Sequence, residues 1–387
     1  MQNHSNYSTQ GSIGKSILLL LPMLLLIFVF STGGKPNFGS SSYLASFLIT
    51  LTFFGTLFYL ILYTGKVNRY RTIGFSVMAL FFAFVFIHEL ISIRGTMTFS
   101  NEHLLSCEIP FCHIVTTMVI IPAAITKTII FPGSILHGFA SIASMLVLVV
   151  GIAISLGRGF CSWGCFYGGW DDGFASIRRK PIIKHVNPSY KWLSFAVLIV
   201  VALSSAAVLG PTYCDWLCPF KTITEYEKVT SIEIFFKTIV FLALFIGLVM
   251  VLPFLSKKRI QCATFCPFGA LISLTNKVNV FGLKIDPEKC TACKKCVRDC
   301  PTLSITPDDI AKGQPSFTCT KCGKCIDSCS KGAIKYHVKG TSARSNPTLK
   351  RMLFLYPAFL LLVIFASGNM IRGIELIIKL ATTGSLF

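Results

Sequence analysis

Cys290-Thr291-Ala292-Cys293-Lys294-Lys295-Cys296-Val297-Arg298-Asp299-Cys300-Pro301 is a Cys-x-x-Cys-x-x-Cys-x-x-x-Cys-Pro run. Cys319-Thr320-Lys321-Cys322-Gly323-Lys324-Cys325-Ile326-Asp327-Ser328-Cys329 repeats it, with Ser330 where the second proline would stand. Three closely spaced thiols and a fourth further on match the way cubane iron–sulfur clusters are held, and in two-cluster modules the fourth cysteine serves the other cluster. The expected ligand sets are therefore Cys290, Cys293, Cys296 and Cys329 for one 4Fe-4S cluster, and Cys319, Cys322, Cys325 and Cys300 for the other. Zinc competes for such thiols, but usually takes two pairs across a longer gap.

Working outward, the other eight of the sixteen cysteines come as four close pairs: Cys107/Cys112, Cys161/Cys165, Cys214/Cys218 and Cys262/Cys266. The chain around them is 53% hydrophobic and 13% charged, where a soluble domain carries about 25% charged residues. Seven apolar stretches approach or reach the length needed to cross a ~30 Å hydrocarbon core: 16–31, 43–63, 73–91, 137–157, 191–210, 236–255 and 351–371. Lipid leaves helices as the reading for each. The first lacks the basic start and cleavage site of a signal peptide and is read as an uncleaved span. Residues 114–132 are apolar but carry Pro122, Lys127 and Pro132, so they are read as a re-entrant piece.

The formal net charge of +20 does not point to nucleic acid, because the basic residues sit in short loops beside the spans. Lys66, Arg69 and Arg71, the 158–184 loop, Lys257 to Arg259, and Lys350 with Arg351 fall on one side. The positive-inside rule makes that side the cytoplasm of a bacterial inner membrane. The expected fold is an all-α polytopic membrane protein of about seven transmembrane helices, with an inserted α+β two-cluster bacterial ferredoxin-like domain. Residues 1–280 would form the membrane domain with six helices, 281–340 the cytoplasmic two-cluster domain, and 341–387 the last helix and tail.

That topology collects four cysteines at each face. One inner 4Fe-4S cluster is expected on Cys161, Cys165, Cys262 and Cys266, and one outer cluster on Cys107, Cys112, Cys214 and Cys218. A Cys-x-x-x-Cys pair sets two thiolates on one side of a helical turn. Disulfides are the alternative for the outer four, in an oxidising compartment. His88 and Glu89, ionisable groups inside a span, are the candidate quinone site. His113, beside Cys112, is a candidate donor to a cluster sulfur. Asp171 and Asp172 are expected to be solvated. No Gly-rich dinucleotide fingerprint is present.

Arg158-Gly159-Phe160-Cys161-Ser162-Trp163-Gly164-Cys165 and Cys262-Ala263-Thr264-Phe265-Cys266-Pro267-Phe268-Gly269-Ala270-Leu271, followed by the two cluster runs, resemble the membrane polyferredoxins of the NapH/NosR/CcoG type. The resemblance covers roughly 137–335. It implies Cys161, Cys165, Cys262 and Cys266 as motif cysteines. It also implies quinol oxidation, electron supply to reductases outside the membrane, or oxidase assembly. Phe166 stands where the first motif expects proline, and Cys214-Asp215-Trp216-Leu217-Cys218-Pro219 is a further motif of the same kind. The expectation is an electron carrier between a cytoplasmic-side donor, the quinone pool and an outer-side acceptor. Its partners would be lipid and redox proteins within a membrane complex. The alternatives are a quinol dehydrogenase using only the inner clusters, and an assembly or metal-reducing factor for a respiratory enzyme.

Overall fold

Apolar runs of this length satisfy their backbone polar groups in lipid by closing every hydrogen bond within a helix. The structure, a computed structural model, describes residues 12–34, 39–94, 98–99, 112–128, 134–135, 138–139, 142–224, 226–227, 229–341 and 346–386. Among the described residues, six helices are long and apolar enough to cross a membrane: Ile13–Thr32, Ser41–Thr64, Val67–Ser92, Pro188–Val208, Ile232–Ser256 and Pro347–Thr383. A seventh joins them if the bent pair Leu146–Ser155 and Gly157–Trp163 is one span. The described part of 114–132 is the short apolar helix His113–Thr126, which ends where Lys127 turns left-handed at φ 58°.

The chain divides into two compact units, Met1–Val85 with Gly159–Gly173 and Val280–Phe387, and Phe86–Arg158 with Phe174–Asn279. This cuts across the linear division into 1–280, 281–340 and 341–387. The reason is the C-terminal helix, which packs on the first two spans. Its Phe359 meets Phe58 at 4.9 Å, and its Tyr356 hydroxyl donates to the Leu19 carbonyl.

Within the first unit, strands Phe281–Ile285 and Ile334–Val338 pair antiparallel, Leu283 opposite Tyr336. Between them the helices Lys295–Asp299 and Lys324–Ser328 pack on each other. Several contacts fix this small domain to the spans of its own unit. The Asp327 carboxylate accepts from the Val67 and Asn68 amides at 3.0 and 2.8 Å, capping the helix Val67–Arg94 at its positive end. Arg351 donates to the Ile61 and Gly65 carbonyls, both at 3.1 Å, at the C-terminal end of the second span. Tyr336 stacks on Phe354 at 4.3 Å.

In the second unit the helix Ile142–Ser155 breaks at Gly157. Asn279 donates to the Ala153 and Ile154 carbonyls at 3.1 Å each, and the Asn276 side chain accepts from the Arg158 amide at 3.1 Å. Gly157 takes φ +54°, and a Cβ there would lie 2.6 Å from Asn276 Oδ1. The span Ile232–Ser256 loosens to π-helical geometry over Phe245–Val251, just before Pro253, which has no N–H to donate. After Leu193–Val208 the chain reverses through left-handed Leu209. The Thr212 hydroxyl then meets those of Ser204 and Ser205 at 2.7 and 2.9 Å, so the following segment folds back along the helix it has left.

Candidate iron–sulfur centres

The two cluster runs share one backbone, position for position. Ala292, Lys294 and Leu303 of the first are left-handed, as are Lys321, Gly323 and Gly332 of the second. Alternating right- and left-handed residues turn successive amides into a concavity that suits an anionic group. Left-handed alanine, lysine and leucine each cost about 1 kcal/mol or more, so a loop repeating them has a binding shape rather than the cheapest one. At Gly323 a Cβ would lie 2.7 Å from the Tyr336 hydroxyl.

One cavity is lined by Cys290, Cys293, Cys296 and also Cys329. Cys300, from the first run, is close enough to Cys319, Cys322 and Cys325 to act electrostatically on all three. Cys329 thus stands with the first three thiols, and Cys300 beside the second three. Among the described residues no three His, Cys, Asp or Glu side chains close on a single-ion site.

The two loops differ in setting. Cys293 is exposed, and the Lys295 backbone amide holds its thiol below the usual range. Cys322 and Cys325 are buried, and burial pushes both thiols up, Cys325 well up. A thiol in such a place keeps its proton unless a metal replaces it.

The Cys161 and Cys262 motifs also share local geometry. The Cys165 amide donates to the Phe160 carbonyl at 3.1 Å, and the Cys266 amide to the Gln261 carbonyl at 3.0 Å. In each case the next helix begins with the second sulfur accepting an amide. Gly168 N–H donates to Cys165 Sγ, and Gly269 N–H to Cys266 Sγ, both at 3.4 Å. Phe166 in place of the expected proline leaves this turn intact. Arg259, fully buried, donates to Cys262 Sγ at 3.2 Å, and buried Arg158 donates to the Cys262 carbonyl at 3.0 Å. Amide and guanidinium donors on sulfur favour the thiolate and tune a bound cluster.

The Cys161 motif is docked on the second cluster loop. Trp163 Nε1, between Cys161 and Cys165, donates to the Lys321 carbonyl at 3.3 Å. Arg71 donates to the Ser162 carbonyl at 2.9 Å and pairs with Asp172 at 2.7 Å. Lys321 is buried, and burial lowers its ammonium to about 7 against the pull of Cys319 and Cys161. Asp171 and Asp172, expected to be solvated, are both buried. Asp172 is held inside because Arg71 needs its charge.

Cys112, Cys214 and Cys218 act electrostatically on one another in the second unit. Burial pushes Cys218 up to about 12. Cys107 lies outside the described residues. The Cys214 and Cys262 motifs, expected near opposite faces, have neighbouring residues in contact within the second unit. Tyr213, fully buried beside Cys214, accepts from Gln261 Nε2 at 3.0 Å, next to Cys262. Its ring lies 6.2 Å from that of Phe265. The fold-back at Thr212 brings the two motifs together. Of the expected inner four, Cys161 and Cys165 fall in the first unit and Cys262 and Cys266 in the second. Tyr213 and Gln261 carried no signal in the sequence beyond adjacency to cysteines.

His88 is buried, its Nδ1 3.8 Å from Oε1 of the half-buried Glu89; neither lines the cavity of the first run. His113 is buried edge-on to Phe268 at 5.0 Å.

The 4Fe-4S dicluster domain family matches residues 282–330. The 4Fe-4S binding domain family matches 138–184, 190–228 and 238–286, each containing one Cys-x-x-x-Cys motif. The chain is 27% identical over 173 residues to YccM of Escherichia coli, whose name provisionally assigns it to electron transport; the match covers 41% of this chain and 46% of YccM. Two uncharacterized proteins of Methanocaldococcus jannaschii also match. MJ0750 is 25% identical over 55% of this chain and 84% of its own length. MJ0749 is 26% identical over 37% of this chain and 71% of its own length. No solved structure matches. These likenesses support iron–sulfur electron transfer as the class of function, carried by 4Fe-4S domains on a helical membrane protein.

Proposed function

We propose that the chain is a membrane-bound one-electron carrier with two 4Fe-4S centres in its ferredoxin-like domain and further centres on the paired thiols of the helices. The observation that supports this most is the cavity bringing Cys329 to Cys290, Cys293 and Cys296, the crossed set that two-cluster modules use. Cys319, Cys322, Cys325 and Cys300 form the second set. Bound there, 4Fe-4S clusters supply one-electron carriers whose potentials follow charge, hydrogen bonds to sulfur and exposure.

Trp163 links the second set to Cys161 and Cys165 through its hydrogen bond to Lys321. In the second unit Cys112, Cys214 and Cys218 form a further group, with Cys107 as candidate fourth ligand, linked through Tyr213 and Gln261 to Cys262 and Cys266. Arg259 and the Gly168 and Gly269 amides donate to the sulfurs of Cys262, Cys165 and Cys266. The finer reading has the ferredoxin-like domain on the cytoplasmic side of an inner membrane. Electrons would pass between a soluble donor, quinone and an outer-side acceptor, with His88 and Glu89 handling the quinone's proton.

Anaerobic purification with iron and acid-labile sulfide analysis tests this. Four cubanes predict about sixteen iron atoms per chain. About eight would confine the clusters to the ferredoxin-like domain, and none would end the reading. Reduction of a water-insoluble quinone analogue by the loaded protein, lost in His88→Ala, tests the finer part.

A further inference from the structure

The two cluster loops share a backbone but not a charge setting. The cavity at Cys290, Cys293, Cys296 and Cys329 is lined by Lys289, Lys294, Lys295 and Lys331, and by no acidic side chain. All four lysines are exposed, as is Cys293. Around the second set, Lys321 is buried and Lys324 half-buried. Of the acids nearest the rim along the chain, Glu288 is exposed beside Lys289, while two others have local partners. Asp286 accepts from the Glu288 amide at 3.2 Å, and Asp299 pairs with Arg298 at 3.5 Å. On the adjoining strands Lys284 and Lys335 stand directly opposite each other, both exposed, although like charges in that position cost stability.

If the lysines served only to offset the charge of bound thiolates, both loops would need them, since both gather four. They are concentrated at the loop whose sulfur reaches solvent. A ring of like charge around an exposed electron port raises the rate of encounter with an oppositely charged partner by about 10- to 1000-fold. Weak, small, charge-steered contacts are also typical of redox encounters. We propose that the lysine rim over Cys293 is the docking surface for an acidic, water-soluble redox protein. Electrons then cross at the first cluster set, while the second set, covered by Trp163, Arg71 and Tyr336, faces the helices of its own unit. This rests on the function proposed above and names the partner class for that site.

The test uses the full-length, cluster-loaded protein in nanodiscs of neutral lipid. The acidic probe is a small bacterial flavodoxin, and cytochrome c is the basic one. Binding is measured against ionic strength, alongside stopped-flow reduction. The variants are Lys294→Glu with Lys295→Glu, and the milder Lys289→Gln with Lys331→Gln, each checked for wild-type iron content. Flavodoxin affinity is expected to fall at least about tenfold in the charge reversal, and to fall in the wild type as salt shortens the screening length to ~3 Å. Cytochrome c binding should strengthen. Flavodoxin binding indifferent to both variants and to salt would overturn the proposal. So would lysines that matter only for attachment to anionic lipid vesicles, which would assign them to headgroups. A chain that binds flavodoxin through the lysines but holds no dithionite-reducible chromophore would defeat the electron-carrier reading and leave the docking surface standing.

Discussion

Asp172 shows how a single carboxylate can organise a thiol motif through an intervening arginine. Arg71 is fully buried and always charged. It reaches Asp172 at 2.7 Å, and the Asn68 and Thr72 side chains and the Ser162 carbonyl at 2.9 Å each. Removing the anion strands a guanidinium in the interior, at a cost of about 3–5 kcal/mol. Asp172→Asn is therefore expected to lower the thermal midpoint of the loaded protein and to release iron earlier in a chelator challenge, because Ser162 sits between Cys161 and Trp163. Exposed Asp308→Asn should do neither. Equal behaviour of the two variants would count against the Arg71 link. None of this could be read from the sequence. Asp172 stands in a Trp-Asp-Asp-Gly stretch that looks like a solvated loop, and its partner lies 101 residues away.

Among the elements, the spans were legible because lipid leaves an apolar run little choice but a helix. Six of the seven expected spans overlap an observed one, and 137–157 does so if the bent pair is one span. What sequence could not supply was where helices stop or double back, since distant side chains decide that. Asn276 and Asn279 end the helix before Gly157, and a cluster of hydroxyls turns the chain at Thr212. Gly157→Ala places a Cβ 2.6 Å from Asn276 Oδ1 at φ +54°. The left-handed backbone alone costs about 1–2 kcal/mol, and the clash adds to it. Gly151→Ala, in the preceding helix with open space around the new Cβ, should be neutral or stabilising by up to about 1 kcal/mol. Thermal unfolding of the two variants side by side checks the bend. If both unfold like wild type, Gly157 is not what shapes it.

For the molecule as a whole, the two-cluster domain was legible because the repeat of one short run implies a two-fold module, which the match over 282–330 supports. The compact units were not, because the C-terminal helix returns to the first two spans by packing that no local pattern announces. The crossing has a consequence that chain order would get backwards. Cys300 belongs to the first run by sequence but acts on Cys319, Cys322 and Cys325. Cys329 ends the second run but lines the cavity of the first. The first loop is open to solvent at Cys293, while Cys322 and Cys325 are buried, so a water-soluble oxidant such as ferricyanide should bleach the first centre faster. Cys329→Ser should then remove the fast phase and leave the slow one, and Cys300→Ser the reverse. Stopped-flow bleaching of both variants, with electron paramagnetic resonance to identify the surviving centre, decides it. The opposite assignment would mean that each run keeps its own fourth thiol.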